Sequence, residues 1–91
     1  MKKVIVKFDF PKMTQQHYDH IIKEMVAQGK LIQKMRPHHF AAPSKNGWLV
    51  VDVWESEEAF KEFGKILMPI MQKYEIPMVE PEICPLYNEV H

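Results

Sequence analysis

From Lys3 to Phe10, apolar and polar residues alternate. Val4, Val6, Phe8 and Phe10 fall on one side, and Ile5, Lys7 and Asp9 on the other. A period of two predicts a half-buried strand, and Pro11 ends it. The period then lengthens. Behind Thr14, a good N-cap, Tyr18, Ile21, Ile22, Met25 and Val26 recur at helical spacing until Gly29 stops the pattern. Gln16, His17, Asp19, His20, Lys23 and Glu24 occupy the opposite face, so the helix buries one side. Leu31 to Ala42 is expected to be extended, with Pro37 confining it to an edge or an irregular strand. Pro43, Ser44, Lys45, Asn46 and Gly47 form a dense turn signal.

Trp48 to Trp54 is the clearest strand of the chain. Leu49, Val51 and Val53 share one face, Trp48, Val50 and Trp54 the other, and Asp52 alone is polar. A strand apolar on both faces needs cover on both. Ser56 caps the next helix, with Glu57 and Glu58 placed against the positive end of its dipole. Ala59, Phe60, Phe63, Leu67, Ile70, Met71 and Tyr74 form its apolar stripe, which Pro69 is expected to kink or split. Met78 to Tyr87 alternates loosely. Pro77, Pro81 and Pro85 recur every fourth residue there and cannot donate to a ladder, so this strand belongs at an edge.

Strand, helix, strand, strand, helix, strand is the order of a ferredoxin-like βαββαβ sandwich, an α+β fold with a four-stranded antiparallel sheet. Right-handed crossovers place the first and third strands centrally and the others at the edges. Both helices then cover one face. The other face is expected to expose apolar side chains of the third strand, around Trp48, Val50 and Trp54. Such a face usually marks an interface, so the expected partner is a second copy, forming a homodimer through the open sheet face.

Composition narrows the function classes. The 91 residues fit a single domain, 1–91, which buries only about 60–65% of its unfolded surface and so has a thin core of its own. Twelve basic residues balance 12 acidic ones, which argues against binding held on nucleic-acid phosphates. The basic-aromatic pattern of RNA-binding sheets is also missing. No stretch approaches the roughly 20 apolar residues of a membrane span, and no signal-peptide cleavage pattern follows the N-terminus. Cys84 is the single cysteine, so no internal disulfide or cysteine-based zinc cage can form. A cytoplasmic protein is expected.

The run Gly47-Trp48-Leu49-Val50-Val51-Asp52-Val53-Trp54-Glu55-Ser56, with Glu58, Ala59, Phe60 and Phe63 after it, resembles a family of small bacterial proteins of the dimeric α/β barrel superfamily. That family reads G-W-x-V-x-D-V-W-E-S-x-E-A-F at this place. Tyr18, His39 nine residues before Trp48, Pro69 and the Asn88 ending also match, so the resemblance spans Thr14 to Asn88. It implies two sheets paired into a barrel and a small-molecule pocket between sheet and helices. Most members have no assigned activity. The wider superfamily includes cofactor-independent monooxygenases, muconolactone isomerases, haem-degrading enzymes and stress-responsive proteins. Where relatives often end in His-Asn, this chain has Tyr87-Asn88, so any role of that His is absent or passes to the Tyr hydroxyl.

Of His38 and His39 only one can enter a given pocket, because strand neighbours face opposite ways, and the resemblance selects His39. An imidazole there can serve as a general base. Asp52, the lone charge on a central strand, needs a partner such as Lys7, Arg36, His39 or a backbone donor. It is either an acid–base group or an ion pair inside the dimer barrel, with Lys7 on the adjacent strand a plausible partner. Tyr18, Trp54 and Asn88 are the candidate ligand-binding residues. Met13, Met25, Met35, Met68, Met71 and Met78 are core filler or an adaptable pocket wall. His17, His20 and Glu24 share a helix face at metal-ligand spacing, but a solvated polar face explains them better and no metal is assigned. No glycine-rich phosphate loop or nucleophile elbow is present, and no cofactor is indicated. Two functions are expected: a small-molecule-binding module, or a cofactor-independent monooxygenase or isomerase acting on an aromatic or enolisable molecule. The enzyme needs a cavity of a few hundred Å³ reaching His39.

Overall fold

Strand β1 (Val4–Pro11) forms where Val4, Val6, Phe8 and Phe10 alternate with Ile5, Lys7 and Asp9, and all four of the first set are buried. A computed structural model describes residues 2–27 and 34–90. Gly29 and Leu31, expected to end the first helix and open the second strand, lie outside those residues. Helix α1 (Gln15–Ala27) starts at the expected cap. Thr14 Oγ1 accepts from the His17 N–H at 3.2 Å, while His17 Nδ1 accepts from the Thr14 N–H at 3.3 Å. This reciprocal pair satisfies two helix-start donors as a capping box does, with His in place of Glu.

Strands β2 (His38–Pro43) and β3 (Gly47–Trp54), helix α2 (Glu57–Lys73) and strand β4 (Glu82–Pro85) complete the order. Strand β2 begins later than its pattern suggests: Lys34 and Met35 are helical, and pairing starts only after Pro37. Pro69 does not split the helix, and α2 runs unbroken from Glu57 to Lys73. Pro69 leaves the Lys65 carbonyl without its helical donor, but both residues are on the exposed side, where water can take that role. In β4 only Glu82–Pro85 pairs, since prolines at 77 and 81 supply no ladder donors before it.

The sheet is antiparallel throughout, in the order β2-β3-β1-β4, with β1 and β3 central as expected. Two helices on one side of a four-stranded antiparallel sheet make an α+β fold compatible with a ferredoxin-like arrangement. Ile21 and Met25 of α1 and Phe63, Leu67, Ile70 and Met71 of α2 pack on the β1 face to form the core. Among the described residues, no helix is long and apolar enough to cross a membrane.

Register corrects one expectation. Val6 stands opposite Asp52, and Val4 opposite Trp54. The even-numbered residues of β3 therefore share the buried face of β1, and Val50, Asp52 and Trp54 lie beneath the helices. The face without a helix carries Leu49, Val51 and Val53 instead, beside Ile5 of β1 and Phe40 of β2. Phe40 is 63% exposed. Apolar residues on both faces of β3 left its orientation open; pairing with β1 decides it.

Candidate functional site

Asp52 is 1% exposed, in the middle of β3 on the helix-covered face. A carboxylate this deep is costly unless hydrogen-bonded. Its neighbour across the β2–β3 pair is His39, and directly opposed residues bring their side chains within reach. His39 Nδ1 bonds to Asp52 Oδ1. Lys7 cannot take that place: it is exposed and points to the opposite face, because Val6 and not Lys7 faces Asp52. Asp52 also lies under the helices, away from the face where sheets would pair, so the alternative of an ion pair within a dimer barrel is set aside. His38 points the other way, and its Nε2 is 3.4 Å from Glu89 Oε2.

An ionised carboxylate can only accept, so Nδ1 of His39 donates to Asp52, and in the neutral imidazole Nε2 then offers a lone pair. The Tyr18 hydroxyl lies 2.5 Å from Nε2 and donates to it. The two rings are almost parallel, at 2°, and the Trp48 ring backs Tyr18 at 5.6 Å. Asp52, His39 and Tyr18 thus form one row of hydrogen bonds from the sheet to the first helix. Burial pushes the Tyr18 phenol above its ordinary value of 10.0; the Arg36 guanidinium draws it down, while the Asp52 and Asp19 carboxylates raise it. The phenol stays protonated at neutral pH.

This row opens on a cavity of about 40 Å³ between sheet and helices. Its walls are mainly apolar, from Phe8, Phe10, Met13, Ile21, Met25 and Met71, and Tyr18, His39, Asp52 and Arg36 supply polarity. The volume accommodates water or a compact group. It is well below the few hundred Å³ that a ring-sized substrate needs.

The structure brings His39, Asp52 and Tyr18 together and leaves two other candidates apart. Trp54 is fully buried as a core residue, its ring 4.6 Å from that of Phe63, and it does not line the cavity. Asn88 is exposed on the segment after β4, also outside the cavity wall. Each member of the helix trio has another contact: His17 in the cap, His20 stacked on Tyr74 at 5.2 Å, and Glu24 accepting from Lys73 at 2.9 Å. Among the described residues, no three His, Cys, Asp or Glu side chains converge as a metal site. Arg36, considered from sequence only as a partner for Asp52, is the cavity residue that sequence reasoning passed over. Its position before Pro37 carries no motif.

Compared with known proteins, the chain matches no protein-family model and no curated protein.

Proposed function

We propose that this chain is a small-molecule-binding module whose ligand enters the cavity beside Tyr18 and His39. The observation that supports it is the Asp52–His39–Tyr18 row ending at an apolar cavity. Holding a sheet together does not require a buried carboxylate, an imidazole and a phenol in series. Such a row costs desolvation and is useful where a polar group of a ligand must be met inside an apolar wall. The flexible side chains of Met13, Met25 and Met71 would let that wall adapt. In this reading the molecule is a dimeric α/β barrel, with Leu49, Val51, Val53 and Phe40 meeting a second copy.

The same row favours a second reading, acid–base catalysis on an enolisable molecule. A substrate proton would pass to the Tyr18 oxygen as the Tyr18 proton passes to His39 Nε2. The imidazolium formed would be held by Asp52. An isomerase returns that proton at another carbon; a cofactor-independent monooxygenase would add dioxygen as oxidant. The 40 Å³ cavity keeps this reading second, since a ring substrate requires the wall to open.

Methyl-labelled methionine gives a direct test by NMR. Acetone and ethanol should shift the Met13, Met25 and Met71 methyl signals saturably and leave Met68, on the exposed side of α2, unmoved. Tyr18→Phe should weaken ethanol binding by about tenfold, the loss of the hydrogen bond that the Tyr18 oxygen accepts from the alcohol. If neither compound moves the three cavity methyls, the reading is wrong. Faster deuterium exchange at the acetone α-carbons, lost in Tyr18→Phe, would put catalysis first.

A further inference from the structure

Arg36 is half-buried, and its guanidinium carbon lies 5.8 Å and 5.9 Å from the ring centroids of Trp54 and Phe63. Aromatic faces hold a cation but satisfy none of its N–H groups. The ion pairs of the described residues involve Lys3, His38, His39, Lys61, Lys65 and Lys73, and no described acceptor bonds Arg36. Asp52, the nearest candidate by sequence, is bonded to His39 instead. Yet Arg36 lines the same cavity as Tyr18 and His39. A fixed positive charge with no bonded acceptor among the described residues therefore stands at the polar end of an apolar cavity.

We infer that the cavity takes a compact organic carboxylate, its charged end on Arg36 and its apolar body against the methionine and phenylalanine wall. This deepens the binding reading above and rests on it. The planar fork of an arginine matches a carboxylate with two parallel hydrogen bonds, which gives orientation as well as attraction. Asp52 already sets a carboxylate on the same wall, bonded to His39, so a monoanion on Arg36 is the most the cavity can take, and a phosphate dianion would add excess charge to a largely apolar space. The small volume sets the size class, a short-chain acid. Bound in this way, the acid places its apolar carbons beside the Tyr18 hydroxyl, where the proton row ends.

The test compares acids with isosteric amides. Acetate and propionate are titrated against acetamide and propionamide, read by the Met13, Met25 and Met71 methyl signals. The acids should bind at least about tenfold more tightly than the amides in the wild-type chain. Arg36→Gln should reduce the acids to the level of the amides and leave amide affinity unchanged, while Arg36→Lys keeps part of the preference. Equal binding of acid and amide to the wild type would overturn the inference and leave the cavity reading standing. Binding of neither would overturn both. A preference that survives in Arg36→Gln would show that another group reads the charge. Where Arg36→Gln fails to fold, Arg36→Lys makes the comparison, and an acid preference unchanged there would overturn the role given to the arginine fork.

Discussion

Tyr18 joins α1 to the sheet through a single hydroxyl, and its ionisation sets a pH dependence with a definite sign. Its native phenol titrates above the ordinary 10.0, mainly because it is buried. Below that value both the native and unfolded chains keep the proton, and the contribution to stability is complete. Above it the unfolded phenol ionises first, so the unfolded state binds fewer protons and stability falls as pH rises, until the native phenol also ionises. The denaturation midpoint of the wild type should therefore drop more between about pH 9 and about pH 11 than that of Tyr18→Phe. Equal drops would show that Tyr18 is not desolvated as described. At this scale the sequence was partly legible. Asp52 stood out as the one charge in an apolar strand, and His39 was among its four possible partners. Choosing between them required the register of a hairpin, which residue types do not specify.

The element that sets this register is the turn between β2 and β3. Ser44 N–H donates to the Gly47 carbonyl at 2.9 Å, and with the turn closed there, His39 falls opposite Asp52. A slip of one residue would turn His39 to the other face and leave Asp52 buried without it. Gly47 also passes close to the neighbouring strand: a Cβ there would overlap the Phe10 carbonyl oxygen and crowd the Lys12 N–H. Gly64, in the middle of α2, has nothing within 4 Å of where a Cβ would go. The two glycines should respond oppositely to alanine. Gly47→Ala should destabilise by about 2 kcal/mol or more through backbone displacement, and Gly64→Ala should stabilise by about 0.5–1 kcal/mol. Urea midpoints of the two variants check this; a tolerated Gly47→Ala would mean that the hairpin can shift without penalty. Caps and turns of this kind were legible from local residue chemistry. That Pro69 does not split α2 was not legible, because a proline's effect depends on which side of the helix loses its donor, a property of packing.

The whole molecule leaves one face of its sheet without a helix. Rows across that face read Phe40, Val51, Lys7, Glu82 and His38, Val53, Ile5, Cys84, so the β2–β3 half is apolar and charge gathers toward β4. The proposed barrel pairs this face with a second copy. A solution mass about twice the 10.8 kDa chain is the expected result at micromolar concentration, with Val51→Glu shifting it toward monomer. A wild-type monomer would remove the barrel and leave the cavity site intact, because His39, Asp52 and Tyr18 lie on the other face. The sequence by itself determined the order of elements, the central and edge strands, the Thr14 and Ser56 caps, and Asp52 as a charge in need of a partner. These follow from periodicity, proline placement and capping chemistry, all of them local. Only the tertiary structure decided which face of β3 the helices cover, that His39 and not Lys7 serves Asp52, and that Arg36 borders the cavity. Each depends on strand register and helix docking, and those bring together residues whose separation in sequence carries no periodic signal.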